Sequence, residues 1–399
     1  MKILFVLQSI GYGGSMTSLI NLLTLLKKED NIKCDVLLMD PYGELYDEVK
    51  KVADKCIFNK AIESVTLSRK KIVHLKKFNL YIYRILFYFL GKLTRNSTEI
   101  CAYNFEKNTY KNKYDCIIAY QESVATNFVS LLDNEKKITW VHNDYKNVVN
   151  LYSSKEKFKS TYSKFDKIVC VSKAGSENFK KFSGLDKNRI TYLYNTLLKK
   201  VIEEKSNEQI INIIKNDLLI KKMNDKSIMK FVSSGRHVEQ KRFDRVINIS
   251  EKLKDSGYNF VWVILGDGIL YERYKKLVDE KGLNNYVFLV GAVKNPFPII
   301  KSCDFFVLTS DFEAHPMVAN EALILHKPVI STNFESAVEV IKNNENGAIC
   351  SMNEESIYEV IKNLFDSPEY LEKLKNGAIN FNYSNDMIIS RFLSLVKSL

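Results

Sequence analysis

Short apolar runs recur along this chain, each ending in a polar or glycine-bearing loop and followed by a stretch with helical spacing. In the first half they fall at residues 2–8, 34–39, 56–58, 115–120, 137–142, 165–172 and 189–195. A second series falls at 229–234, 260–265, 286–290, 305–308, 326–331 and 348–350. Apolar runs of this length read as parallel strands buried on both faces. The stretches between them repeat every three or four residues. Leu19, Ile20, Leu23 and Leu26 share one face of a helix predicted over 16–26, and Val318, Glu321, Ala322 and Leu325 share another after 305–308. The alternation predicts an α/β chain with two parallel sheets. A length of 399 residues agrees, being more than one core ordinarily holds. The polar, lysine-rich stretch 197–226, with a helical patch at 210–214, is expected to connect the halves. That gives domains over 1–196 and 197–380, then a final helix within 381–399.

In open α/β sheets, ligands bind at the carboxyl ends of strands, and helix N-termini there suit anions. Several strand-end loops in this sequence carry suitable groups. Gly11, Gly13 and Gly14 follow the first run, where backbone N–H groups can approach a phosphate or substrate closely. The spacing is not G-x-G-x-x-G, and a bare tight turn is the alternative. Trp140-Val-His142 closes another run; a lone histidine is more often structural than catalytic. Gly235 and Arg236, with Lys241 beyond them, place two cations where a diphosphate could be held. Gly266-Asp267-Gly268 ends the next run. Glu313 lies in the loop after 305–308, Pro316 stands where a helix begins, and Glu321 falls one or two turns into it. Taken alone, the two glutamates read as well as a helix-start acid and a solvated surface acid as they do as functional acids.

Taken together, these strings resemble the family 4 retaining glycosyltransferases, whose signature is E-x7-E after a strand ending in serine. Glu313 and Glu321 match both ends, with Pro316 and Ala322 inside. Ala314 departs from the usual glycine, and His315 stands at a variable position. The family's G-R-x-x-x-x-K matches at Gly235, Arg236 and Lys241, although Arg242 stands where glycine is commoner. The resemblance is specific from 229 to 350 and looser before it. It implies the GT-B architecture, two Rossmann-like domains facing across a cleft, with the last helix crossing back to the first domain. It implies catalytic work by Glu313, His142, Arg236 and Lys241. It further implies donor contacts from Gly13, Gly14, Gly266, Val293, His315, Pro316, Met317, Val318 and Glu321. Glu321 would hold the ribose, Glu313 a donor-sugar hydroxyl, and His142 another sugar hydroxyl. The implied reaction moves a sugar from a nucleotide sugar, a UDP-sugar by expectation, to a glycan, lipid-linked or polymer acceptor with retention, as in surface-polysaccharide synthesis. A nucleotide-sugar epimerase or a non-catalytic partner subunit on the same scaffold is the alternative. With no D-x-D string in a suitable loop, no cofactor and no metal ion is expected.

Composition changes the picture in three places. The net charge of +12 favours an anionic partner, yet no zinc-finger, RNP-like or helix-turn-helix pattern points to nucleic acid. Seven cysteines without paired spacing read as reduced thiols, and the first apolar run is too short for a leader, so a cytoplasmic protein is expected. Between 67 and 95, basic and aromatic residues interleave along an apolar stretch, with Arg84 inside and Lys92 and Arg95 at its close. That mixture suits a helix lying on an anionic membrane surface, which would place the protein on the inner face of the plasma membrane. A core helix with solvated basic ends is the alternative.

Overall fold

Every strand pairing among the described residues is parallel. The computed structural model describes all residues except Tyr12, Asn134 and Glu135. The chain divides into an N-terminal unit, Met1–Leu197 with Asn385–Leu399, and a C-terminal unit, Leu198–Ser384.

The N-terminal unit holds β1 (Lys2–Leu7), β2 (Lys33–Leu38), β3 (Lys55–Phe58), β4 (Cys116–Ala119), β5 (Lys137–Val141), β6 (Lys167–Cys170) and β7 (Ile190–Tyr192), in the order β3-β2-β1-β4-β5-β6-β7. The C-terminal unit holds β8 (Met229–Ser234), β9 (Phe260–Leu265), β10 (Val287–Gly291), β11 (Phe305–Leu308), β12 (Val329–Thr332) and β13 (Gly347–Cys350), in the order β10-β9-β8-β11-β12-β13. The winding reverses between β1 and β4 in one sheet and between β8 and β11 in the other. Such reversals open crevices at the carboxyl edge. Central strands such as β9 are buried at every position, which explains their unbroken apolar runs.

One device recurs at the amino edge of both sheets. An aspartate directly before a strand accepts an amide at the start of its neighbour. Asp115 receives Lys2 N at 2.6 Å, Asp54 receives Cys34 N at 2.6 Å, Asp166 receives Lys137 N at 2.7 Å, and Asp304 receives Lys230 N at 2.8 Å. The strand-start N–H groups are satisfied there, and the pairing register is pinned by a charged acceptor.

Helices cover both faces. Phe231, Trp262, Phe305, Ile361 and Leu374 belong to the C-terminal core; Leu4, Ile117, Phe87 and Phe128 belong to the N-terminal one. The last helix, Asp386–Lys397, lies on the N-terminal unit, where buried Phe392 stacks on Phe5 at 6.4 Å and tilts against Trp140 at 6.1 Å. The seven cysteines are all unpaired thiols.

Three local expectations change. The run at 326–331 starts as a strand only at Val329. His326 adopts a left-handed conformation, and Lys327 N bonds to Ala322 O at 2.9 Å, closing the preceding helix in a Schellman turn. The stretch 67–95 is two helices, Arg69–His74 and Phe78–Thr94, because Lys76 takes the left-handed position of a second Schellman turn, with Lys77 N on Ile72 O at 3.1 Å. The connection after 197 carries helices Lys199–Lys205 and Asp217–Asn224, and its apolar patch at Ile210–Asn212 is a single 3-10 turn.

Candidate active site

In the C-terminal unit, the loops that follow β8 and β11 meet where the winding reverses. The Lys241 ammonium lies 2.5 Å from Glu313 Oε1, and Ser310 Oγ donates to the same oxygen at 2.7 Å. Both partners are mostly buried, at 16% and 11% side-chain exposure. Glu313 Oε2 has no hydrogen-bond partner among the described residues. Backbone and side-chain bonds fix the two loops around this pair. Gln240 Nε2 donates to Phe312 O at 2.7 Å and Asp311 N to Gln240 O at 2.9 Å. Thr309 Oγ1 lies 2.9 Å from Lys241 O, and Ser336 Oγ donates to Glu313 O at 2.8 Å. Buried Arg245 reaches Asp311 Oδ1 at 2.7 Å and Thr309 O at 2.8 Å.

Arg242 has φ +51° and ψ +45°, a left-handed backbone that glycine takes without strain. Its guanidinium lies 2.9 Å from Asp244 and 3.4 Å from Asp311, which offsets that cost and raises its pKa. Arg236, on the same loop, is exposed, and its guanidinium has no ion-pair partner among the described residues.

The glycines after β9 answer a packing need. A Cβ on Gly266, whose φ is +121°, would sit 1.9 Å from Gly235 O; one on Gly268 would sit 2.6 Å from His237 O. His237 N bonds to Asp267 O at 2.9 Å and Leu270 N to His237 O at 3.0 Å, so the two loops run backbone against backbone. The His237 ring is buried, stacked on Tyr271, and held neutral by burial. Gly266 N bonds to Gly291 O at 2.8 Å, which joins the loop bearing Val293 to the same edge.

The helix Met317–Ile324 starts at this edge, after Pro316. Met317 N turns back to His315 O at 2.9 Å and Ala319 N to Pro316 O at 3.0 Å. The Val318 amide has no partner among the described residues and stands open at the positive end of the helix. Burial of the His315 ring pushes its pKa down to about 4, so it is neutral. The carboxyl of Glu321, a residue 8% exposed, has no hydrogen-bond partner among the described residues, and burial pushes its pKa up to about 7. An acid in that state gains from any ligand that donates hydrogen bonds to its ionised form.

Gly13, Gly14 and His142 form a separate group at the carboxyl edge of the N-terminal sheet. Gly14 is the first residue of the helix Gly14–Leu26 and Gly13 its cap; neighbouring Tyr12 lies outside the described residues. A Cβ on Gly13 would meet nothing within 4 Å, and its φ of 169° suits any residue, so internal packing does not demand glycine. Gln121 Oε1, after β4, accepts from Gln8 N at 2.7 Å and Ser9 N at 3.1 Å, tying the end of β1 to the end of β4. Glu122 Oε1 accepts from His142 N at 2.5 Å and Asn143 N at 2.9 Å, fixing the turn after β5. The His142 ring packs on Tyr120, and Nε2 lies 2.9 Å from the Tyr120 carbonyl. A carbonyl only accepts, so Nε2 carries the proton and Nδ1 keeps its lone pair. Burial lowers the pKa, with Glu122 opposing, so the ring is neutral.

Sequence reasoning passed over Gln121, Glu122, Arg245 and Ser336. Gln121 and Glu122 directly follow an apolar run, the same signal that singled out the other strand-end loops. Ser336 carries no such signal.

A family model described as glycosyl transferases group 1 matches residues 204–381. An uncharacterized glycosyltransferase of Methanocaldococcus jannaschii is 28% identical over 256 residues, 58% of this chain and 60% of that one. The N-acetylgalactosamine-N,N'-diacetylbacillosaminyl-diphospho-undecaprenol 4-alpha-N-acetylgalactosaminyltransferase of Campylobacter jejuni is 26% identical over 266 residues, 65% of this chain and 67% of that one. The match thus spans about three fifths to two thirds of each relative. Among solved structures, Anabaena HepE in complex with UDP and glucose aligns over 100% of both chains with a TM-score of 0.74 and 16% identity.

Proposed function

Through residues 204–381 this chain belongs to the group 1 glycosyltransferases, and from that premise we propose that it transfers a sugar from a UDP-sugar to a lipid-linked or polymeric glycan with retention of configuration. The observation that carries this reading is the meeting of Lys241 and Glu313, 72 residues apart in sequence, at the winding reversal of the C-terminal sheet. UDP is favoured because the structural relative from Anabaena was solved with UDP and glucose. A lipid-linked acceptor is favoured because the Campylobacter relative is named for a diphospho-undecaprenol substrate.

The roles follow from charge. The C1–O bond to the diphosphate breaks, and negative charge grows on the departing oxygen. Arg236, the Lys241 ammonium and the open Val318 amide at the helix N-terminus meet that charge. An acceptor hydroxyl forms the new C1–O bond on the face the diphosphate leaves, and its proton passes to a phosphate oxygen. Glu321 accepts from the ribose hydroxyls. Glu313 accepts from a donor-sugar hydroxyl through Oε2, while Oε1 stays on Lys241 and Ser310. His142, protonated on Nε2, offers Nδ1 to a sugar hydroxyl as an acceptor. The open space over Gly13 leaves room for phosphate or acceptor against the backbone. The chain's own cations neutralise the leaving group, so activity is expected without a metal ion.

UDP release from a panel of UDP-sugars, with chelator present, tests the reading. The wild-type protein should release UDP, faster with an undecaprenyl-diphosphate glycan added. Glu313→Gln keeps the shape of the side chain and should lower turnover about a hundredfold or more. Near-normal release in that variant would remove Glu313 from the site. Interconversion of the donor sugar without UDP release would make the chain an epimerase.

A further inference from the structure

The helix Phe78–Thr94 presents apolar residues on two opposite sides. Leu80, Phe87 and Gly91 face the N-terminal core and are buried. Phe78, Ile82, Ile85, Leu86, Phe89 and Leu93 recur at helical spacing on the other side, each 50–82% exposed. Isolated exposed apolar side chains are ordinary, whereas six along one helix face make a contiguous patch of the kind that marks an interaction site. The helix is well anchored beneath this patch. Leu80 joins Leu67 and Ile72 in a small buried cluster, the Phe87 ring packs edge-on to Phe105 at 5.7 Å, and Arg84 donates to Leu67 O at 2.8 Å.

The charge around the face has one sign. No acid occurs between Glu63 and Glu99, while eight Lys and Arg residues do. Three of these cations serve the fold: Lys71 pairs with Asp40 at 2.7 Å, Lys77 lies over the Tyr42 ring at 4.7 Å, and Arg84 makes the bond above. Arg69, Lys70, Lys76, Lys92 and Arg95 are exposed. Lys92 lies over the Tyr88 ring at 5.0 Å, which places a cation and an aromatic together at the border of the patch.

We propose that this face docks on an anionic lipid bilayer, with the helix lying in the plane of the interface. The six apolar side chains enter the acyl boundary, and the five exposed cations sit at the headgroups. The occupant must be apolar and anionic together, which a bilayer of acidic lipid satisfies. A second copy of this chain does not, because a symmetric contact would set five exposed cations against five. At 17 residues the helix is about 25 Å long, and no helix among the described residues is long and apolar enough to cross a membrane. An in-plane orientation follows. The expectation for 67–95 thus narrows to the second helix, since Leu67 and Ile72 lie in the core.

Vesicle flotation tests this with the full chain. The wild-type protein should float with phosphatidylglycerol-containing vesicles at low salt, and far less with phosphatidylcholine alone or at high salt. The triple variant Ile82→Ser, Phe89→Ser, Leu93→Ser should bind about a hundredfold more weakly. Its thermal midpoint should not change, since these side chains already face solvent. Lys92→Glu with Arg95→Glu should lose the preference for acidic lipid while keeping its melting temperature. Wild-type protein that fails to float at low salt overturns the proposal, as does a triple variant that floats like wild type. A wild-type dimer that the triple variant abolishes, without flotation of either, would give the face to a second copy and also overturn it. Glu313→Gln should float normally, so this result stands apart from the fate of the transferase reading.

Discussion

A methyl group on Gly266 would sit 1.9 Å from the Gly235 carbonyl oxygen, whereas one on Gly13 would meet nothing within 4 Å. The same residue type, after the second strand of one sheet and the first strand of the other, serves two different ends. At the carboxyl edge of the C-terminal sheet, glycines let loops run backbone against backbone, and the charges are locked together as Lys241–Glu313 and Arg245–Asp311. At the edge of the N-terminal sheet, Gly13 borders open space and the functional candidate is a neutral histidine on a turn held by Glu122. A closed, charged edge suits a group that never changes, such as a nucleoside diphosphate. Under the proposed transfer, an open edge leaves room for an acceptor.

The largest effect should come from breaking the closed edge at its charge. Lys241→Ala should lower UDP release about a thousandfold, leaving Glu313 mostly buried without its counter-charge. Single-turnover rates measure the first effect and thermal unfolding the second. A loss of stability with full turnover would make the pair structural only.

Next come the glycines themselves, exchanged in parallel. Gly266→Ala should cost about 3 kcal/mol or more of stability, because its backbone conformation and the Gly235 carbonyl both exclude a side chain. Gly13→Ala should leave the denaturation midpoint unchanged and lower kcat/KM roughly tenfold by crowding whatever approaches the backbone. Equal stability losses in the two variants would erase the contrast.

The smallest effect is the titration of Glu321. Its folded pKa of about 7 lies above the ordinary carboxyl value, so the folded state binds more protons than the unfolded state between those two values. Its contribution to stability is therefore full at pH 4, falls as pH rises toward 7, and is gone above that. The fall is roughly 3 kcal/mol at most. Glu321→Gln should flatten this part of the pH–stability curve and raise the melting temperature at pH 8. The same variant should weaken UDP binding about tenfold or more. Calorimetry near pH 6.5 in two buffers should show more proton release when wild-type protein binds UDP than when the variant does, the remainder coming from the terminal phosphate of UDP.

Much of the C-terminal edge was legible because one residue type does one job there. The apolar runs gave the strands, and the arginine, lysine and glutamates fell in the loops after them. Arg242 shows how far such reading goes. Its departure from glycine was visible, but the left-handed backbone that makes glycine common there was not, nor were the Asp244 and Asp311 partners that let arginine hold it. The register aspartates at 54, 115, 166 and 304 were visible as letters, yet their role depends on which strands are neighbours. Ser336, 23 residues from the carbonyl it holds, was illegible for the same reason. The two breaks misplaced by periodicity, at Lys76 and His326, are left-handed helix caps on residues other than glycine. No local pattern announces those.

The return of Phe392 to the side of Phe5 and Trp140 has a consequence for biosynthesis. A ribosome makes the whole C-terminal unit before it delivers the residue that completes the N-terminal core. The first unit must therefore wait in an unfinished state while the second, contiguous in sequence, is free to fold at once. In this chain the half translated first is the half finished last, and a nascent chain halted before residue 385 would carry a complete C-terminal unit and an incomplete N-terminal one.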